Sequence, residues 1–161
     1  MPANQYHFQT TWRVEAPPEI LYNILQDGQS YPRWWPDVYL AARLVRSERA
    51  DRIGDRVEFL TKGWLPYRLR WTAETGRLDP PETIEISATG DFIGSGSWHL
   101  EPEGKVTRIT FDWRISAEKP LLRWLSPLLK PLFRWNHHWA MSTGLPRLRT
   151  EATQRLSSVI Q

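Results

Sequence analysis

Thr107-Arg108-Ile109-Thr110-Phe111-Asp112-Trp113-Arg114-Ile115 is the stretch on which the fold turns. Thr107, Ile109, Phe111, Trp113 and Ile115 alternate with Arg108, Thr110, Asp112 and Arg114. A period of two sends the first set to one face of a strand and the second to the other. The first face is apolar and the second charged or hydroxylated, so the strand is expected to lie half-buried on a core. Pro102-Glu103-Gly104-Lys105 precedes it and reads as a hairpin turn. On the other side of that turn, Asp91 to Glu101 puts Trp98 and Leu100 on one face.

The same alternation runs upstream. Thr83 to Thr89 sets Ile84, Ile86 and Ala88 against Glu85, Ser87 and Thr89. Leu78-Asp79-Pro80-Pro81 separates it from Tyr67 to Glu74, where Tyr67, Leu69, Trp71 and Ala73 face Arg68, Arg70, Thr72 and Glu74. Gly63-Trp64-Leu65-Pro66 makes a turn back to Gly54 to Lys62, which carries Val57 and Phe59. Val38 to Arg46 reads as a further strand. At the start of the chain, Tyr6, Phe8, Thr10, Trp12 and Val14 alternate with His7, Gln9, Thr11 and Arg13. Short connections between alternating segments predict an antiparallel sheet with one face to a core and one to water.

Two interruptions are helical. Ala16-Pro17-Pro18-Glu19 is a helix start, and Ile20, Leu21, Ile24 and Leu25 follow at helical spacing until Asp27-Gly28. Ser30 to Asp37, SYPRWWPD, holds two prolines and allows a one- or two-turn helix or an aromatic loop. From Leu132 to Ile160, His138, Met141, Leu145, Leu148, Ala152, Leu156 and Val159 recur at helical steps. Gly144 and Pro146 are expected to kink or split that helix. The order is a strand, two short helices, six strands and a long C-terminal helix. Its economical packing is a curved sheet with the helix laid across the concave face. Such a pair leaves an elongated apolar cavity between its layers.

Composition narrows the function classes. The 161 residues contain no cysteine, which removes disulfides, thiolate zinc sites and thiol nucleophiles. No metal and no cofactor is expected, because the four histidines form no HExxH pattern. The net charge of +3, carried by 17 Arg and 4 Lys against 18 acidic residues, comes with no nucleic-acid motif, so no nucleic-acid partner is expected. Gly90, Gly94 and Gly96 lack the Gly-Lys-Ser/Thr of a phosphate loop and are expected to let the sheet curl. The first residues, MPANQYHFQTTWRVEAPPE, lack an apolar leader, so a cytoplasmic location is expected. One domain over residues 1–161 is the expected organisation.

Residues 119–139, KPLLRWLSPLLKPLFRWNHHW, are rich in Leu and Trp and broken by three prolines. Six basic and no acidic residues fall between Lys119 and Thr150. The prolines predict short helical turns, either a lid on the cavity or a weak contact with an anionic membrane surface.

The opening strand with Ala16-Pro17-Pro18-Glu19, then Tyr31-Pro32-Arg33-Trp34-Trp35-Pro36, then Gly90 to Trp98, Thr107 to Trp113 and Trp135-Asn136-His137 together resemble the START-like, or SRPBCC, superfamily. It includes polyketide cyclase/dehydrase and lipid-transport proteins. The resemblance implies a helix-grip fold, an α+β arrangement of seven antiparallel strands around a C-terminal helix. It also implies a deep cavity for a lipid, polyketide or other hydrophobic small molecule. Members divide between carriers and cyclases or aromatases, and catalytic residues differ among them. The first expectation is therefore binding or transfer of a hydrophobic molecule. The alternative is a polyketide cyclase/dehydrase working on a chain held in the same cavity.

Residues facing inward by strand parity or helix period are the candidate lining: Phe59, Leu69, Trp71, Ile86, Trp98, Ile109, Phe111, Trp113, Asn136 and Met141, with Trp35 near the mouth. For an enzyme, Arg70, Asn136 and His137 are the candidate polar groups, provided that they turn inward.

Overall fold

The computed structural model describes residues 5–63, 68–117 and 120–160. In chain order it contains β1 (Gln5–Val14), α1 (Pro18–Gln26), a 3-10 turn (Gly28–Ser30), α2 (Tyr31–Trp34), β2 (Tyr39–Val45), β3 (Arg56–Lys62) and β4 (Arg68–Asp79). β5 (Thr83–Gly90), β6 (Phe92–Glu103), β7 (Val106–Ala117) and α3 (Pro120–Ile160) follow. The strands form one antiparallel sheet ordered β1-β7-β6-β5-β4-β3-β2. β2 to β7 are thus a meander, and β1 pairs on its far edge. α1 and α2 carry the chain from one edge of the sheet to the other.

Parity sets the inner face. Phe8 lies opposite Trp113, Trp12 opposite Ile109, and Trp98 opposite Phe111, so three adjacent strands present aromatic and aliphatic groups to the same side. Outward positions carry ion pairs between neighbouring strands, such as Arg43–Glu58 and Arg56–Glu74, and a hydrogen-bonded contact between His7 and Asp112. Register shifts between Tyr39 and Ala41 and between Thr75 and Arg77 mark bulges, which deepen the twist of the strands they interrupt. Gly90 has φ +113°, and a Cβ there would stand 2.7 Å from the Arg70 carbonyl oxygen, so glycine permits the bend. The result is the curved helix-grip sheet.

α3 departs from the sequence expectation. It begins at Pro120 rather than Leu132 and runs 41 residues as one helix. Pro127 and Pro131 do not break it into turns, and neither Gly144 nor Pro146 splits it. Each proline removes one N–H donor, while whole turns of bonded backbone remain between Pro131 and Pro146 and beyond. Pro120 sits in the first turn, where no donor is missed. Lys119 lies outside the described residues, as do Trp64 to Tyr67 and the side chains of Leu121, Leu122, Arg123, Leu125 and Leu129.

Gly144 has a packing role instead. A Cβ on it would come 2.6 Å from Trp35 and 2.9 Å from Trp12. Its bare backbone lets both indoles close on the helix, and Trp35 Nε1 donates to Thr143 Oγ1 at 3.1 Å. Leu148 and Ala152 are buried further along the same face. Arg33, from the YPRWWP segment, grips the buried Glu151 through two bonds of 3.0 and 2.5 Å. α3 is thereby fixed to α1, α2, β1 and β7, and the inner face of β3 to β5 is left uncovered by close helix packing.

Candidate functional site

A cavity of about 180 Å³ occupies that uncovered space. β3, β4 and β5 supply Phe59, Leu69, Trp71, Ala73, Ile84 and Ile86. β6 and β7 supply Trp98, Phe111, Trp113 and Ile115, and β1 supplies Tyr6 and Phe8. α3 closes it with Phe133, Asn136, His137, Ala140 and Met141, while Trp35, Val38 and Tyr39 form the side next to α2. The rings touch in a continuous lining: Phe59–Trp71 centroids are 5.0 Å apart, Trp71–Trp113 5.4 Å and Trp98–Phe111 4.2 Å.

Of the residues expected from the sequence, Trp35, Phe59, Leu69, Trp71, Ile86, Trp98, Phe111, Trp113, Asn136 and Met141 all line this cavity. Ile109 does not. It shares the parity of Phe111 and Trp113 but is only 1% exposed, deep in the core where β7 faces Trp12 and Leu100. Parity identifies the face of a strand, not the point along it where packing gives way to space. Tyr6, Phe8, Tyr39 and Thr61 are lining residues that the sequence reading passed over, while Phe133 comes from the segment expected to cover the cavity. Tyr6 and Phe8 were legible, since they occupy the inward parity of β1.

The polar residues that line the cavity are Gln26, Thr61, Lys62, Thr75, Asn136 and His137, with Tyr6, Tyr31 and Tyr39. Thr61 is internally satisfied: its Oγ1 accepts from Trp71 Nε1 at 3.2 Å and donates to the Leu69 carbonyl at 3.5 Å. The Tyr31 hydroxyl donates to the Leu25 carbonyl at 2.5 Å, and burial pushes its pKa well up, so it stays neutral. Burial likewise raises Tyr39. Asn136 fits against Gly63, where any Cβ would overlap its carboxamide. His137 stacks on Phe8 with centroids 4.2 Å apart and ring planes 13° apart. Its Nε2 lies 3.5 Å from Thr10 Oγ1. Burial, assisted by the neighbouring His138, lowers its pKa to about 4, so the imidazole is neutral near pH 7. Arg70 is exposed on the outer face, its backbone N–H donating to Asp91 Oδ2, and is not part of the cavity wall. Among the described residues no cluster of His, Asp or Glu could hold a metal ion.

A family model described as "Polyketide cyclase / dehydrase and lipid transport" matches residues 5–153, nearly the whole chain. The chain belongs to that family. No curated protein sequence matches it. Solved structures of the same fold include TTHA0849 from Thermus thermophilus, at TM-score 0.78 and 20% identity over 93% of this chain and 99% of that one. The Zhui aromatase/cyclase from Streptomyces sp. R1128 aligns at TM-score 0.72 and 19% identity, over 94% and 96%. A START superfamily protein from Mycobacterium smegmatis aligns at TM-score 0.66 and 16% identity, over 88% and 98%. At these identities the structural relatives establish the helix-grip fold. This polyketide cyclase/dehydrase and lipid-transport family member shares its architecture with both an aromatase/cyclase and a START protein.

Proposed function

We propose that this chain binds and carries a hydrophobic small molecule in the cavity between the sheet and α3. The observation that carries the reading is the lining itself: aromatic and aliphatic side chains from all seven strands converge on one space, and the hydroxyls of Thr61 and Tyr31 are bonded to the protein. Such a wall favours a ligand by desolvating it, at roughly 25 cal/mol per Å² of apolar area covered. Asn136 and His137 then form a polar end that can orient one carbonyl or hydroxyl. About 180 Å³ is below the roughly 300–1,000 Å³ of drug-sized sites. A ligand larger than one ring system therefore requires side-chain movement.

The second reading, a polyketide cyclase or dehydrase, is favoured by the same Asn136–His137 pair. A general base works best with a pKa near the ambient pH. His137, at about 4, is a weak base at neutrality, and Arg70 is not available to polarise a carbonyl. The carrier reading is therefore preferred. Native mass spectrometry tests it with fatty acids, sterols, quinones and aromatic polyketides as probes. One-to-one complexes without turnover are expected. Conversion of an added poly-β-keto chain would transfer the case to the enzyme, and no complex with any probe would remove both.

A further inference from the structure

Trp124, Leu128, Leu132 and Trp135 succeed one another at steps of four, four and three residues along α3. At 100° per residue they stand within about 80° of arc, on one side of the helix. Trp124 and Leu128 are 86% and 80% exposed, and Leu132 and Trp135 are 42% and 47% exposed. Phe133, Asn136, His137 and Ala140 wall the cavity from the opposite side of the same turns. This stretch of α3 is thus apolar on two faces, only one of which the fold covers.

We propose that the uncovered face docks on the surface of an anionic lipid bilayer. Two of its four members are tryptophans, whose indoles favour the boundary between head groups and acyl chains. Lys130 and Arg134 fall on the border between the two faces, and the chain from Lys119 to Trp135 carries four cations and no anion. That charge complements an anionic surface. It opposes a second copy of the chain, because pairing two such stripes brings like charges together. Among the described residues no helix is long and apolar enough to cross a membrane, so the stripe lies along the surface. The inference needs no assumption about the cargo of the cavity.

Vesicle flotation of the full chain tests it, using phosphatidylcholine with or without about one third phosphatidylglycerol, at about 50 and about 500 mM salt. Wild type is expected to float with anionic vesicles at low salt and to bind them less at high salt. Trp124→Ser combined with Leu128→Ser should lower that partition about tenfold or more, since both side chains then leave the acyl boundary. Lys130→Gln combined with Arg134→Gln should lower it about 10–30-fold on anionic vesicles and leave neutral vesicles unaffected. Trp124, Leu128 and Arg134 are exposed, and Lys130 is half-buried with its ammonium 5.6 Å from the Tyr6 ring centroid, where glutamine fits without added bulk, so circular dichroism should match wild type. No flotation of wild type at low salt overturns the proposal, as does a serine pair that binds like wild type. Self-association that the serine pair abolishes, seen by sedimentation without flotation, assigns the stripe to a second copy and also overturns it.

Discussion

α3 crosses two unlike neighbourhoods. Toward its C-terminus, Gly144 presses on Trp12 and Trp35, Leu148 and Ala152 are buried, and the buried Glu151 is charged and held by Arg33 and Arg155. Nearer its middle, Phe133, His137 and Met141 face empty space, and the half-buried titratable group is a neutral imidazole. The packed end anchors the helix so that the hollow end need not. A ligand cavity is tolerable only where the rest of the domain supplies stability, because each unfilled volume forfeits contacts.

The packed end should therefore carry the largest penalty on truncation. Leu148→Ala is expected to cost about 3–5 kcal/mol in chemical denaturation, since the side chain is fully buried and its loss leaves a cavity. Next comes acid. His137 titrates at about 4 in the fold against 6.5 in the unfolded chain. The unfolded state takes its proton first as pH falls, so stability is full above about pH 6.5 and declines toward pH 4, by about 3 kcal/mol in all. His137→Phe, which keeps a ring against Phe8, should flatten that decline. An unaltered profile would mean that His137 is solvated and that the hollow end is wetter than described.

Truncation at the hollow end should cost less than at the packed end despite the larger side chain. Phe133→Ala is expected to lose roughly 1–2 kcal/mol, below the 3–5 of a closely packed phenylalanine. A greater loss than for Leu148→Ala would erase the distinction between the two ends. The smallest effect belongs to Glu151. Arg33, aided by Arg155, holds its carboxyl below the ordinary 4.5, so its contribution is present above that pH and lost as pH falls through the lowered folded value. Because Arg33 itself is largely exposed, Glu151→Gln should cost only about 1–2 kcal/mol at pH 7. The mutant's stability should then vary less with pH below 4.5.

Much of this division is written in local pattern, and some is not. Alternation along Thr107 to Ile115 and its neighbours specifies strands, faces and the meander, because side-chain direction repeats every second residue. The same alternation picks out Trp71, Trp98 and Trp113 as inward. It cannot separate Ile109 from Phe111, whose difference lies in where α3 crosses the sheet. Proline misled the reading of residues 119–139, since its cost to a helix is local and tertiary context can carry it. The contact between His137 and Thr10 joins positions 127 residues apart, and no spacing rule reaches that far. Gly144 looked like a breaker because the tryptophans that need its missing side chain are remote in sequence.

The central claim, that the hollow end is a ligand site, has a direct test in Ala73. Its methyl group lines the cavity from β4 and is buried. Ala73→Leu places an isobutyl group in the empty space, which should fill it without disturbing the packed end. Hydrophobic probes that form complexes with wild type should be titrated into both proteins, with intrinsic tryptophan fluorescence and thermal melting as readouts. The account predicts that Ala73→Leu melts at or above the wild-type temperature and loses at least about tenfold in affinity. Equal affinity in the two proteins, with the fold intact, would contradict it and place the ligand elsewhere.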